Sequence, residues 1–195
     1  MSRYVTAQVA ELLKWKGEKF VSGLLSNFSC PQNKDVESFL RNHAIDFTDR
    51  RASITHLVFD TQTADCVGYF TLTHKPFTFG AGHLSKTERK RALRFAQLDA
   101  GLNTFTLSAF LIAQFAKNHT LPANRRIDGS ILMSVVFDKV RQVQAEVGGQ
   151  AVFLECEDGC PGLLSFYERN GFKLCSTRVS ATDGRKYLQL LAFVR

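Results

Sequence analysis

Leu132, Val135, Val136, Val140, Val143 and Val147 recur at steps of three and four residues, and Gly148-Gly149 ends the run. That spacing puts the six side chains on one stripe of a helix, which must be buried against another layer. The flanks narrow the choice. A turn with two arginines, Asn124-Arg125-Arg126-Ile127-Asp128-Gly129-Ser130, opens the helix, and an apolar run Val152-Phe153-Leu154 follows it. A helix between a loop and a buried strand belongs to a sheet with helices packed on it, an α/β arrangement. With 45% hydrophobic residues over 195 positions, the chain suffices for one such domain spanning 1–195 and is too apolar to be disordered.

The rest of the chain supplies the partners of that helix. The first forty-odd residues read as helical on the spacing of Val5, Val9, Leu12, Leu13 and Phe20. A second helix runs from Asp35 through Phe47, with Asn33 or Asp35 to cap it. Segments 54–59 and 66–73, separated by Asp60-Thr61-Gln62-Thr63, predict an antiparallel hairpin. Residues 74–101 interrupt the pattern as a basic insertion, in which five of the ten residues from Ser85 to Arg94 are basic. These are either a solvated face or a contact for RNA phosphate or an acidic acceptor. Further strands are expected at 105–115, 172–179 and 186–194, with a short helix at 163–169 closed by Asn170-Gly171.

Several function classes drop out. No run approaches the roughly 18–20 apolar residues a membrane span needs, and the charges at Glu11, Lys14, Lys16, Glu18 and Lys19 leave no signal-peptide core, so a cytoplasmic protein is expected. Five scattered cysteines favour reduced thiols, and Cys156 with Cys160 lacks a second ligand pair, so no metal is expected. No histidine stands at a recognisable spacing from a nucleophile. The net charge of +7 points to polyanions or phosphorylated cofactors as partners.

Chemistry concentrates around the long helix. The start of a helix exposes unpaired N–H groups and a partial positive charge, which suit a phosphate. Gly129 would let the backbone approach an anion, and Arg125 and Arg126 would add charge; equally, Gly129 can simply start the helix. Downstream, Leu154-Glu155-Cys156-Glu157 is followed by Phe166-Tyr167-Glu168-Arg169-Asn170-Gly171-Phe172. Taken with Arg126-Ile127-Asp128-Gly129-Ser130-Ile131-Leu132-Met133, this pattern resembles the GNAT superfamily of acyl-CoA-dependent N-acyltransferases, from about residue 24 to the C-terminus. Phe28-Ser29-Cys30, Phe39-Leu40 and the segment from Val67 to Leu72 are similar to the toxin acetyltransferases of that superfamily, which act on aminoacyl-tRNA.

The resemblance implies a mixed, mostly antiparallel twisted sheet flanked by helices on both faces. It implies an N-acetyltransferase that moves an acetyl group from acetyl-CoA to a primary amine by direct transfer in a ternary complex. Phe115, Ala116 and Lys117 would pair with the pantetheine arm through their backbone, and Arg125, Arg126, Ile127, Asp128, Gly129, Ser130 and Ile131 would hold the pyrophosphate. Tyr167 matches the tyrosine that protonates the departing thiolate; Cys160 sits where many members carry an asparagine near the cofactor. Asp128 is an anion beside a proposed anion site, and Ile131 stands where a small residue is common. Glu155 and Glu157, two apart on one strand, are the candidate bases. The acceptor is open between an aminoacyl-tRNA and a protein amine, with tRNA or another polyanion and a second copy of the chain as further candidate partners. The alternative is a non-catalytic module of the same fold that retains CoA or nucleic-acid binding.

Overall fold

The computed structural model describes residues 2–194. Its elements run β1 (Tyr4–Gln8), α1 (Val9–Lys16), α2 (Glu18–Ser26), α3 (Lys34–Asn42), α4 (Ala44–Asp49), β2 (Ile54–Asp60) and β3 (Cys66–Gly80). They continue with α5 (Lys86–Ala92), β4 (Gln97–Asp99), β5 (Thr104–Lys117), α6 (Gly129–Val147), β6 (Ala151–Glu157), α7 (Pro161–Arg169), β7 (Lys173–Val179) and β8 (Lys186–Phe193). The strands follow the hydrogen-bonded order β1-β2-β3-β5-β6-β8-β7, with β4 on β5. β5 and β6 run parallel through Phe110↔Val152 and Leu111↔Phe153, while β1–β2, β2–β3, β4–β5, β6–β8 and β7–β8 are antiparallel. This is the expected mixed, mostly antiparallel sheet with helices.

Two compact units divide the chain, Met1–Thr73 with Ile112–Val136, and His74–Leu111 with Phe137–Arg195. In the first, Val21, Leu25, Phe28, Leu40, Leu57 and Tyr69 form the core. Phe28 meets Tyr69 edge-on at 5.2 Å, and the Tyr69 hydroxyl donates to the Val36 carbonyl at 2.6 Å, so the aromatic's polar end is satisfied inside. In the second, Phe77, Phe79, Phe105, Leu107, Phe153 and Leu191 pack together, Phe77 on Phe153 at 4.3 Å. Each such fully buried side chain contributes about 1.5–3 kcal/mol.

Four expectations need correction. The first residues are not all helical: Tyr4–Gln8 pairs with β2 from Tyr4↔Asp60 to Gln8↔His56, and Arg3 pins the register on the buried Asp60 carboxylate at 2.8 Å. The helix expected from Asp35 to Phe47 breaks at His43, whose φ of −125° is not helical; Asn33 caps it, accepting from the amides of Asp35 and Val36. The insertion begins later than 74, because β3 continues to Gly80 through Pro76. Pairing with β2 ends at Leu72, so on that edge the missing N–H of Pro76 costs no ladder bond. Along α6 the buried residues are Leu132, Met133, Val136 and Val140, whereas Val147, in the last turn, is exposed.

Candidate functional site

In the first unit the end of β5 is held from below. Asn118 follows Lys117, and its Oδ1 accepts from the amides of Ser29 (3.2 Å) and Thr120 (3.1 Å) and from the Thr120 hydroxyl. Its Nδ2 donates to the Cys66 carbonyl at 2.9 Å. One buried side chain thereby ties β3, β5 and the 29 loop. Gly68 completes the fit: a Cβ there would stand 2.8 Å from the Ala116 carbonyl oxygen and 3.0 Å from Leu132. Phe115, Ala116 and Lys117 are thus fixed in place, with Ala116 buried and its neighbours half-buried.

The loop beyond them closes on itself. Arg126 donates through Nε to the Leu121 carbonyl (2.8 Å) and through Nη2 to that of His119 (3.2 Å), and Arg125 pairs with Asp65. Ile127 is buried and anchors the turn. Asp128 precedes the first residue of α6, and its carboxylate accepts from the amides of Ser130 (2.8 Å) and Ile131 (3.3 Å). It is an N-cap, so two of the amides expected to hold phosphate already carry the chain's own anion. The loop is nonetheless electropositive. Burial first, then the charges of Arg126 and Lys117, hold the His119 imidazole below its usual pKa.

In the second unit Tyr167 lies on α7, 7% exposed, with Phe166 edge-on at 5.2 Å and Phe172 at 5.9 Å. The Phe-Tyr-x-x-Asn-Gly-Phe motif builds this closure. Gly171 adopts φ +89°, its amide donates to the Glu168 carbonyl, and the Phe172 amide donates to the Tyr167 carbonyl. That pair of bonds is a Schellman ending, and it folds Phe172 back on the Tyr167 ring. Burial, then the adjacent Cys156, raises the Tyr167 pKa, so the phenol keeps its proton at neutral pH. Cys160 is the exposed N-cap residue of α7, and Pro161 follows at the first helical position.

Glu155 and Glu157 alternate with Cys156 on β6, which sets both carboxylates on the face opposite Cys156 and hence opposite the Tyr167 phenol. Arg178 binds Glu155 through both oxygens (2.7 and 2.5 Å), and Gln189 Nε2 adds a third bond at 2.7 Å. Burial alone would raise the Glu155 pKa, but Arg178 and Gln189 outweigh it and the net shift is downward. Glu155 is therefore a weak proton acceptor. Glu157 is exposed, with Arg185 at 3.7 Å. Glu155 also borders a pocket of about 310 Å³, with Lys75, Phe77, Phe153, Arg178 and Gln189 among its walls; Tyr167 does not line it. Sequence reasoning missed Lys75, Arg178, Gln189, Asn118 and Gly68, since each acts through a partner distant in the chain.

The basic helix α5 is built by a capping box, with Ser85 and Glu88 bonding each other's backbone amides, and Lys173 binds Glu88 at 2.6 Å. Arg91 is spent on the Val194 carbonyl and the Phe193 ring, and Arg89 stands over Phe105. Lys86, Lys90 and Arg94 are exposed. Among the described residues no cluster of three metal-type ligands occurs, and no helix is long and apolar enough to cross a membrane.

Neither a protein-family model nor a curated protein matches the sequence. Solved structures do match. A bacterial toxin is 13% identical over 100% of this chain and 92% of its own, with a TM-score of 0.64. AtaT complexed with acetyl-methionyl-tRNAfMet is 14% identical over 95% and 93%, with a TM-score of 0.63. AtaTR bound with acetyl-CoA is 14% identical over 100% and 95%, with a TM-score of 0.58. At these identities the likeness is one of fold: the chain has the fold of the GNAT acetyltransferases, with its likeness to the toxin branch.

Proposed function

We propose that the chain is an acetyl-CoA-dependent N-acetyltransferase that moves the acetyl group directly to a primary amine. The observation that carries this reading is Tyr167, packed by Phe166 and Phe172 and set by the Asn170-Gly171-Phe172 closure within a GNAT fold. The AtaTR structure with acetyl-CoA supports the cosubstrate. In this reading the backbone of Phe115, Ala116 and Lys117 takes the pantetheine arm. Arg125, Arg126 and the 127–131 amides take the pyrophosphate, with Cys160 near the cofactor, and Tyr167 protonates the leaving thiolate.

The amine attacks only when neutral. A lysine amine, with a reference pKa near 10.4, needs about 4–5 kcal/mol to lose its proton at pH 7, whereas an α-amine near 8 needs little. Glu155 is held by Arg178, so Glu157 and water are the better proton acceptors, and this favours an α-amine. An RNA-linked α-amine fits the +7 charge and the exposed Lys86, Lys90 and Arg94. The reading is tested by thiol release from acetyl-CoA over a panel of amines, proteins and aminoacyl-tRNA. Release that disappears in Tyr167→Phe supports it, and none over the whole panel refutes it.

A non-catalytic module of this fold is the second reading. It is favoured by Asp128, whose carboxylate fills amides that a phosphate would use. Calorimetry with acetyl-CoA separates the two when combined with the thiol assay: tight binding without release selects the module.

A further inference from the structure

The pocket beside Glu155 has two kinds of wall. Phe77, Phe153 and Leu111 make it apolar on one side, with the two rings stacked at 4.3 Å. Lys75, Glu155, Arg178 and Gln189 make it polar on the other. Arg178 grips both Glu155 oxygens, and Lys75 lines the same pocket. The Arg178 side chain is 45% exposed and that of Glu155 22%. The pair is open to water on the Arg178 side, so an incoming pair of charges can reach both partners.

We infer that this pocket is a subsite for a zwitterionic amine with an apolar side group. The ammonium takes the place of Arg178 on Glu155. The freed guanidinium and Lys75 bind the anionic group, and the apolar group covers Phe77 and Phe153. A pocket of about 310 Å³ suits a ligand the size of a large amino acid. Binding at this pocket is independent of the acetyl-transfer reading. Carboxylate and phosphonate oxygens both match the paired donors of arginine, so both are tested.

Calorimetry on the full chain without CoA decides it. L-leucine and its phosphonate analogue carry both charges, leucinamide lacks the anion, and N-acetylleucine lacks the ammonium. At least one doubly charged probe is expected to bind about tenfold or more tighter than both controls. Arg178→Gln should reduce it to the leucinamide value, and Arg178→Lys should restore part of the difference. Lys75→Gln, at an exposed position, gives an independent check and should weaken only the anionic probes. Equal affinity for all four probes, or no saturable binding of either doubly charged one, overturns the inference. Leucine binding with no thiol release on any acceptor leaves the pocket standing while the transfer reading falls. Thiol release on an aminoacyl-tRNA with no saturable leucine binding does the reverse.

Discussion

The Asp128 carboxylate accepts the Ser130 amide at 2.8 Å, so α6 begins already neutralised by its own chain. An anionic ligand at this turn competes with that carboxylate. Asp128→Asn keeps a cap while removing the charge, and is expected to tighten acetyl-CoA binding by about 0.5–1 kcal/mol with the melting temperature nearly unchanged. Asp128→Ala should cost about 1 kcal/mol of stability. Calorimetry and thermal unfolding read the two effects separately.

Tyr167→Phe removes one hydroxyl from a ring packed by Phe166 and Phe172. The phenylalanine ring keeps both packing contacts. Stability should therefore hold, KM for acetyl-CoA should barely move, and kcat should drop about 10²-fold or more. Steady-state kinetics beside a melting curve shows whether the loss is chemical or structural.

Asn118→Ala deletes the acceptor for Ser29 and Thr120 and the donor for Cys66. Buried backbone groups left unpaired should cost about 2–3 kcal/mol, visible as a lower denaturant midpoint.

Acid stability has a marker in Glu88. Burial by itself raises the carboxyl, but Lys173 and Ser85 hold it at about 2, below the 4.5 of the free group. A lowered folded-state pKa means the stabilisation is present above pH 4.5 and fades as pH falls from about 4.5 towards about 2. In Lys173→Met that part of the acid transition should flatten, as urea titrations across the range would show.

Replacing Lys86, Lys90 and Arg94 together by Gln should weaken tRNA binding at low salt. The slope of log affinity against log salt should become shallower by about 0.7–0.9 for each RNA phosphate that these side chains no longer neutralise. An unchanged slope would remove α5 from the RNA surface.

Much of the scaffold is written locally. The spacing in α6, the turn between β2 and β3 and the Asn170-Gly171 stop are each set by residues a few positions apart, and each lies where the pattern predicted. β1 was not legible because five residues carry little periodicity, and their conformation is decided by β2, some fifty positions away. The site divides the same way. Asp-Gly-Ser before a helix is a cap signal, readable in the chain, and the structure gives Asp128 that role. The weak basicity of Glu155 was not readable, since it is imposed by Arg178 and Gln189 from two other strands.

The α7 closure carries a warning for anyone tracing ancestry. Gly171 and Phe172 answer to backbone geometry, whereas Tyr167 answers to chemistry only in the acetyl-transfer reading. A chain of this fold without any activity would still need the glycine and the following aromatic to finish the helix, so the signature by itself records no reaction. If the acetyl-transfer reading holds, position 167 itself, rather than the motif around it, is where loss of catalysis would first be recorded.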